Sequence, residues 1–591
     1  MKFSLHGDFS RPRGSAGFSL TLQLRHVTVI VNGWKVLSMT TMRSATLGVV
    51  TAFGVWLALG GTRDLHAAAA DLRLVEAVQK QDKKAAQLLI QQHVDVNARM
   101  ADGSTALAWA AHWDDLDTAV LLMRAGADVN LANDLGMTPL MLASLNANAA
   151  IAAKLFEAKA DANLTRASGE TALMIASRTG SAPLVGLLLA HGANPNARTS
   201  AGDTALMFAA AERHSAVALR LVDAGADINA RTLVTGKAGS SDASGSQRQM
   251  RKKDGTDAQG KPRALYKGQA VYVDQLPKEG DGEPPRPEGG FTPLLYAAMA
   301  GDLETVKILL AARAPIDEAA PDGVTPLIAA VVKFHEDVAI HLINSGADVK
   351  AANAGYTALH AAALTNQITV ARALLAHRAD PNAPLTMAKR LQAVFVPYNP
   401  NLQTGRLNQV GATPFLMAAK SVDTGMMQLL LANGADPTLT TESRTTAMML
   451  AAGLGKRQAS DMYTFIRYYM WNEDKAIAAI TLLLDLGADI NAANEFGETA
   501  LHGATYHGAQ KAIEFLVQRG ANINAVNWAD QTPMRLAEGH FYSATFLRYP
   551  ETAALLRKLG ANPQAGTQLM FGLTGYVEDK NTKDESPRKD Q

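Results

Sequence analysis

The side chains that do chemistry in enzymes are present in this chain, but their spacing works against them. His335, Glu336 and His341 carry the residue types of a zinc helix, in which two imidazoles one turn apart hold the metal and a glutamate acts as base. Histidines six residues apart lie on different faces of a helix and cannot share one ion. Gly453-Leu454-Gly455-Lys456 has glycines and a lysine, yet it lacks the loop length and the following hydroxyl that cradle a phosphate. Neither a Gly-x-Ser-x-Gly elbow nor a His-Glu-x-x-His helix occurs. The chain has no cysteine, which removes disulfides, thiolate nucleophiles, Cys-ligated zinc, iron–sulfur clusters and thioether-linked haem. Arg251-Lys252-Lys253 is followed at once by Asp254 and reads as a solvated loop. With 56 basic against 55 acidic residues, the net charge of +1 provides no field to gather a polyanion, so no nucleic-acid partner is expected. The expectation is a protein with no catalytic residues, no metal and no cofactor.

What the chain has in quantity is repetition. Its 591 residues, 48% of them hydrophobic, are ordinary globular material. A Thr-Ala/Pro-Leu-like tripeptide recurs with its threonine at 105, 138, 171, 204, 292, 325, 357, 413, 446, 499 and 532, and the first three intervals are 33 residues. From each threonine to the alanine of a later Gly-Ala-Asp-like triplet the step is 22 residues in nine of eleven units, and from that alanine to the next threonine it is 11 in seven of ten. Each half of the repeat keeps its length even where the whole is stretched. Thr138 is placed to cap a helix, accepting from free amides of the first turn, and Pro139 stands where its missing N–H costs nothing. Leu140 and Ala143 make a short helix with a small face, and Ala153, Leu155 and Phe156 lie on a second. Triplets such as Gly126-Ala127-Asp128, Gly225-Ala226-Asp227 and Gly487-Ala488-Asp489 end the second helix with a residue that enters the left-handed region cheaply. A Val-Asn or Ile-Asn pair and an Asp-x-x-Gly-like turn lead out to the next unit.

On these residues the chain resembles the ankyrin-repeat family, whose 33-residue unit is a turn and two helices with Thr-Pro-Leu-His-x-Ala. The family histidine is kept only at His360 and His502. Backward extension through Val94 and Leu72 adds a first unit, so that about twelve are expected between Asp71 and Pro563. The resemblance implies an all-α repeat solenoid whose finger turns and first helices line a groove. Seven or eight residues past each threonine stand His112, Trp113, Leu145, Arg178, Glu212, Met299, Val332, Lys333, Leu364, Lys420, Tyr506 and His507, expected to be exposed there. Apolar, aromatic and cationic side chains together are the composition of interface centres, and the expected partner is a protein.

Three departures from the period mark insertions. From Ala226 to Thr292 the step is 66 residues, which puts a finger insertion at 231–290, rich in Gly, Ser, Pro, Lys and Asp and expected to lack regular structure except over 264–276, a candidate hairpin holding Tyr266 and Tyr272. From Ala379 to Thr413 it is 34, placing a second finger insertion at 384–410 with Phe395 and Tyr398. From Thr446 to Ala488 it is 42, and the excess falls between two helices of one unit, at 453–475, where Tyr463, Phe465, Tyr468, Tyr469 and Trp471 crowd together. These rings either extend and bury against the helices or form an exposed hot spot. A smaller excess lies around His540 to Tyr549. The repeats then divide as 71–230, 291–383 and 411–563, with a tail at 564–591.

Ahead of the repeats, Arg43, the apolar stretch Ala45 to Gly61 and the small residues Ala67 to Ala70 have the order of an export signal, with cleavage near Ala70. The alternative is an uncleaved inner-membrane anchor at 45–61, and only in that case a membrane contact. Residues 1–41 do not suit a signal's basic start, whereas Met39 and Met42 each provide one, so translation is expected to begin at Met39 or Met42, with 1–41 an upstream extension outside the native chain and 42–70 the signal. The expected function is a non-catalytic scaffold for protein–protein interaction in the periplasm or outside the cell. The alternatives are an accessory subunit of a periplasmic enzyme complex and a secreted effector binding host proteins.

Overall fold

A computed structural model of the chain describes residues 71–236, 255–256, 262–266, 269–272, 287–386, 410–454, 472–527, 530–542 and 545–566. All of them fall in the compact unit Ala70–Gln591, and the other unit, Met1–Ala69, lies outside them. Helices come in consecutive pairs, joined by tight turns in all but the tenth and the twelfth: α1 (Arg73–Gln79) and α2 (Lys83–Gln91), α3 (Ala106–His112) and α4 (Leu116–Arg124), α5 (Pro139–Leu145) and α6 (Ala149–Glu157), α7 (Ala172–Thr179) and α8 (Ala182–Ala190), α9 (Ala205–Ala211) and α10 (Ser215–Asp223). After the first insertion follow α11 (Pro293–Ala300) and α12 (Leu303–Ala311), α13 (Pro326–Val332) and α14 (Glu336–Asn344), α15 (Ala358–Leu364) and α16 (Ile368–Ala376). The series ends with α17 (Pro414–Lys420) and α18 (Thr424–Ala432), α19 (Ala447–Ala451) and α20 (Glu473–Asp485), α21 (Ala500–Tyr506) and α22 (Gln510–Gln518), α23 (Pro533–Glu538) and α24 (Pro550–Lys558). Each odd-numbered helix packs on the next, α9 on α11 and α15 on α17 included, so the stack runs unbroken past both finger insertions. This is an all-α repeat solenoid.

The recurring residues explain the units. Thr105, Thr138, Thr171 and Thr325 accept from the amides of Ala108, Met141, Met174 and Ile328 at 3.2–3.3 Å, which satisfies a donor the first turn cannot. Five residues past every one of the eleven threonines stands an alanine, from Ala110 to Ala537, and each has no solvent exposure. A methyl group there lets neighbouring first helices approach closely, while leucines such as Leu107, Leu173, Leu206 and Leu327 fill the space between first and second helices. The second helices carry a cap that the repeat pattern did not announce: Asp82, Asp115, Asn148, Asp302, Asp423 and Asn472 accept from amides of their own first turns. Gly126 takes φ +91° at the helix end, and where the glycine is replaced, Lys159 and Arg313 are held at +70° and +69°.

Units are tied by two ladders on the finger side. Asn163 donates from Nδ2 to the carbonyl of Gly192 at 3.0 Å and accepts at Oδ1 from the Asn194 amide at 2.8 Å. Asn97, Asn196, Asn382 and Asn491 make the same two bonds to the next unit. Finger backbones are also linked, as in Asp134 N–H to Asp102 C=O at 3.0 Å, Ser200 to Ser168 at 2.8 Å and Glu442 to Val410 at 2.8 Å. At Asn229 the pattern fails, since Pro315 occupies the place of the amide that an asparagine would clasp and has no N–H. A cavity of about 150 Å³ opens there, lined by Asn229, Arg231, Leu294 and Pro315 among others.

The insertions leave from closed bases. Thr232 donates to Phe291 C=O at 3.1 Å and Leu385 to Ala412 C=O at 2.8 Å, so each loop begins and ends at one point of the stack. In the 231–290 insertion β1 (Thr235–Gly236) pairs with β5 (Pro287–Glu288), and β2 (Gly255–Thr256), β3 (Pro262–Tyr266) and β4 (Gln269–Tyr272) form an antiparallel ladder with Tyr266 opposite Gln269 and Arg263 opposite Tyr272. The segment is thus not without regular structure over these residues, as alternation in 264–272 allows. In the last pair β6 (His540–Tyr542) and β7 (Thr545–Leu547) make a small hairpin where the excess length was found. The outer helix α20 is 13 residues long where the outer helices of the preceding pairs have nine, so part of the 453–475 insertion lengthens that helix.

The close alanine contact gives a direct test. Ala176→Leu forces three extra carbons between α5, α7 and α9 and should destabilise by about 1–3 kcal/mol, read as a lower urea midpoint with an unchanged slope.

Candidate functional site

The inner row is built by the C-terminal ends of the odd-numbered helices and the turn that follows each. That turn is also where units are bonded to one another. Trp113 donates from its indole N–H to Gln79 C=O at 3.2 Å, Asn146 from Nδ2 to His112 C=O at 2.7 Å, and Gln367 from Nε2 to Val331 C=O at 2.8 Å. His214, His335 and His507 place Nε2 3.0 Å from the carbonyls of Arg178, Met299 and Gly453. Each of these side chains satisfies a helix-end carbonyl of the previous unit that would otherwise face the next unit unpaired. His335, which the sequence offers as half of a zinc pair, is thus a bridge between units and the N-cap of α14.

Against this background the predicted row divides. Trp113 is 42% exposed and Leu145 50%. The Trp113 ring stacks on Trp109 at 6.1 Å between centroids and meets the edge of half-buried His112 at 4.7 Å, which fixes its orientation. Arg178 is exposed, lies 4.6 Å over the Phe208 ring and pairs with Glu170, a nearly buried carboxylate also held by Arg166. Glu212 and Lys333 are exposed. Met299 is half-buried. Half-buried Tyr506 donates its hydroxyl to Glu498 at 2.8 Å, and burial raises the Glu498 pKa. His507 is half-buried on its Gly453 carbonyl.

Three positions expected at the surface are not. Val332 is 7% exposed, Leu364 5% and Lys420 7%. Counting along the repeat gives a residue's place on the helix but not what lies over it, and here the face is covered. Lys420 has no carboxylate beside it among the described residues, and burial lowers its pKa to about 8. Of the insertion candidates, Tyr266 and Tyr272 lie on β3 and β4, where only the backbone is described, and Phe395, Tyr398, Tyr463, Tyr468 and Trp471 lie outside the described residues.

The sequence pointed to the two retained histidines as family residues, and the structure shows what they do. His360 accepts at Nδ1 from the Thr357 amide at 3.2 Å and sits with Nε2 3.0 Å from Ala412 C=O, across the second finger insertion. His502 repeats this with Thr499 and Gln531 at 3.2 and 3.1 Å. Those partners fix the proton on Nε2. Burial drives both pKa values down to about 4, so each ring is neutral in the fold.

A family model described as "Ankyrin repeats (3 copies)" matches residues 74–166, 147–232, 264–353, 294–384 and 469–564, together more than half of the chain. Helices α17 to α19 fall between the matched stretches, yet they carry the same threonine caps and buried alanines.

A histidine held neutral by burial binds fewer protons folded than unfolded. Stability is therefore full above the unfolded pKa of about 6.5 and declines as the pH falls toward about 4. The decline should be about 1.4 kcal/mol per pH unit for each ring. Denaturant titrations at stepped pH should show a flatter profile in the His360→Leu, His502→Leu double variant; Glu498, whose raised pKa acts in the opposite sense, is common to both proteins and cancels.

Proposed function

The chain belongs to the ankyrin-repeat family, and on that premise we propose that it is a non-catalytic scaffold that holds a protein partner on the exposed inner row of its first units. The observation that carries this is the sequence of side chains on successive turns: Trp113, Leu145, Arg178 and Glu212 stand seven or eight residues past the threonines of four consecutive units, and all stay exposed while the polar groups around them are used between units. An indole held by ring stacking and a hydrogen bond, next to an open leucine and an arginine over a ring, is a surface whose side-chain freedom is already spent before a partner arrives. Such preorganised aromatic and arginine anchors dominate affinity where they occur. A long row of unlike side chains on a rigid support suits recognition of an extended protein surface better than enclosure of a small substrate.

The proposal extends to location. Arg43, the apolar stretch 45–61 and Ala67–Ala70 support export with removal of the leader near Ala70, and α1 starts at Arg73, just beyond that point. The scaffold then works in the periplasm or outside the cell.

A photo-crosslinking side chain at Leu145, introduced in cells, should yield a defined protein adduct, whereas the same group at Leu219, an equally exposed residue of outer helix α10, should not. With the partner purified, Trp113→Ala should weaken binding by about 2 kcal/mol, roughly thirtyfold, with the protein still folded. Equal labelling at both positions, or unchanged binding by the Trp113 variant, would count against this surface. The mass of the recovered chain reports its start: beginning at Asp71 supports export, and an intact 45–61 segment contradicts it.

A further inference from the structure

At Asn229 the clasp between units is built and left open. In the closed cases a short turn presents the asparagine: the amides of Asn97, Asn163, Asn196, Asn382 and Asn491 are each donated to the side chain two residues back, at 2.8–2.9 Å. Asn229 has the same turn, its N–H donated to Asp227 Oδ1 at 3.0 Å. What differs is the other side of the junction. Asn196 takes the carbonyl of Gly225 and the amide of Asp227, and the matching groups for Asn229, beyond the insertion, are the carbonyl of Arg313 and the nitrogen of Pro315. A proline nitrogen has no hydrogen to donate. Among the described residues the Asn229 side chain makes no hydrogen bond, and the Arg313 carbonyl accepts none.

The space left is the cavity of about 150 Å³. Buried Leu294 and Ala314, half-buried Ile228 and exposed Pro315 give it apolar walls. The charged lining residues, Arg231 and Glu318, are paired with each other, and the Thr292 hydroxyl is taken by the Leu295 amide. The lining side chain with both a donor and an acceptor unspent is Asn229. Paired charges leave no net field in the cavity, which favours a neutral ligand. A cavity of this size accepts a group about as large as benzene, and it is small beside the roughly 300–1,000 Å³ sites that enclose drug-sized molecules and cofactors. It suits one side chain of a larger molecule.

The amide selects what that molecule is. It donates from Nδ2 and accepts at Oδ1, so an anion offers nothing to Oδ1 and an ammonium nothing to Nδ2. The matching edge in a protein is the N–H and C=O of one extended residue, which point the same way, as they do in an antiparallel ladder. Backbone is also what the same side chain takes in the five closed clasps. Asn229 and Pro315 are exposed, so the site is open from outside.

We propose that this cavity docks an extended segment of a protein partner, with Asn229 pairing to the N–H and C=O of one residue and the aliphatic side chain of that residue filling the space against Leu294 and Pro315. None of the lining residues belongs to the inner row, so this site stands or falls separately from the surface around Trp113.

The probe is N-acetyl-leucine methylamide, a single residue carrying both of its peptide groups. In protein with isotope-labelled asparagine, the probe should shift the Asn229 Nδ2 resonance to saturation, with a dissociation constant on the order of millimolar. The Asn196 resonance, already bonded to Gly225, should stay in place. Isoamyl alcohol, which has the same aliphatic group and no peptide, should bind at least about tenfold more weakly. Ala314→Leu fills the cavity and should abolish the saturable shift. Pro315→Ala tests the same site by restoring a bond: the new N–H lets Asn229 close on its own stack, so that amide should be protected from exchange and probe affinity should fall at least about fivefold. Absence of a saturable shift at Asn229, equal affinity for the alcohol, or undiminished affinity in either variant overturns the proposal.

Discussion

The register of the stack depends on a finger-side asparagine that makes the same two bonds to the next unit in five places, at Asn97, Asn163, Asn196, Asn382 and Asn491. A helix pair of this size cannot bury its apolar face alone, and stability comes from the contact with the next pair. That contact is worth most in a single register, and the asparagine fixes it, because one amide side chain donates to the carbonyl at the end of the next unit's second helix and accepts from the N–H two residues on. An amide is the neutral side chain that carries a donor and an acceptor at that spacing, and an aspartate in its place keeps only the acceptor, as at Asp317, which takes the Asp348 amide at 2.9 Å. Both partners are backbone groups that no secondary structure would satisfy. The same clasp from Asn382 to Gly434 and Asp436, more than fifty residues away in sequence, explains how a finger insertion leaves the stack in register.

Once the register is set, much of the inner row is committed. Histidine, glutamine, asparagine and tryptophan at the helix ends are used to close carbonyls of the preceding unit, so their chemistry is spent on the stack. What is left free for recognition is a smaller set, chosen by exposure and not by residue type. Trp113 illustrates both roles at once, since its N–H belongs to the stack and its ring to the surface. The buried alanines make the same point for packing: a row of methyl groups brings the first helices close enough for these short side-chain bridges to reach.

The period, the threonine caps, the proline starts and the Gly-Ala-Asp ends were legible in the sequence because each acts within a few residues of itself. The role of the Val-Asn pair was not, because its partner is a unit away and only the stacked structure brings them together. The same limit explains Val332, Leu364 and Lys420. Their position on the helix was read correctly, but their exposure depends on what lies over that face and not on the count along the repeat. Lys159 and Arg313 show a third kind of exception, in which the left-handed turn persists without its glycine because the units on either side impose it.

The account turns on whether the asparagine clasp holds the units in one continuous register, and residue-resolved amide hydrogen exchange tests it most directly. The amides of Asn194, Asp227, Asp436 and Asn522 belong to exposed or half-exposed residues, and each is donated to an asparagine side chain. The account predicts strong protection of all four, with Asp436 as slow as Asp227 despite the insertion between it and its partner, and with loss at Asn194 alone in Asn163→Ala. Exchange at Asp436 near the rate of a free loop, while Asp227 stays protected, would mean that the stack is broken at the insertion and would contradict the account.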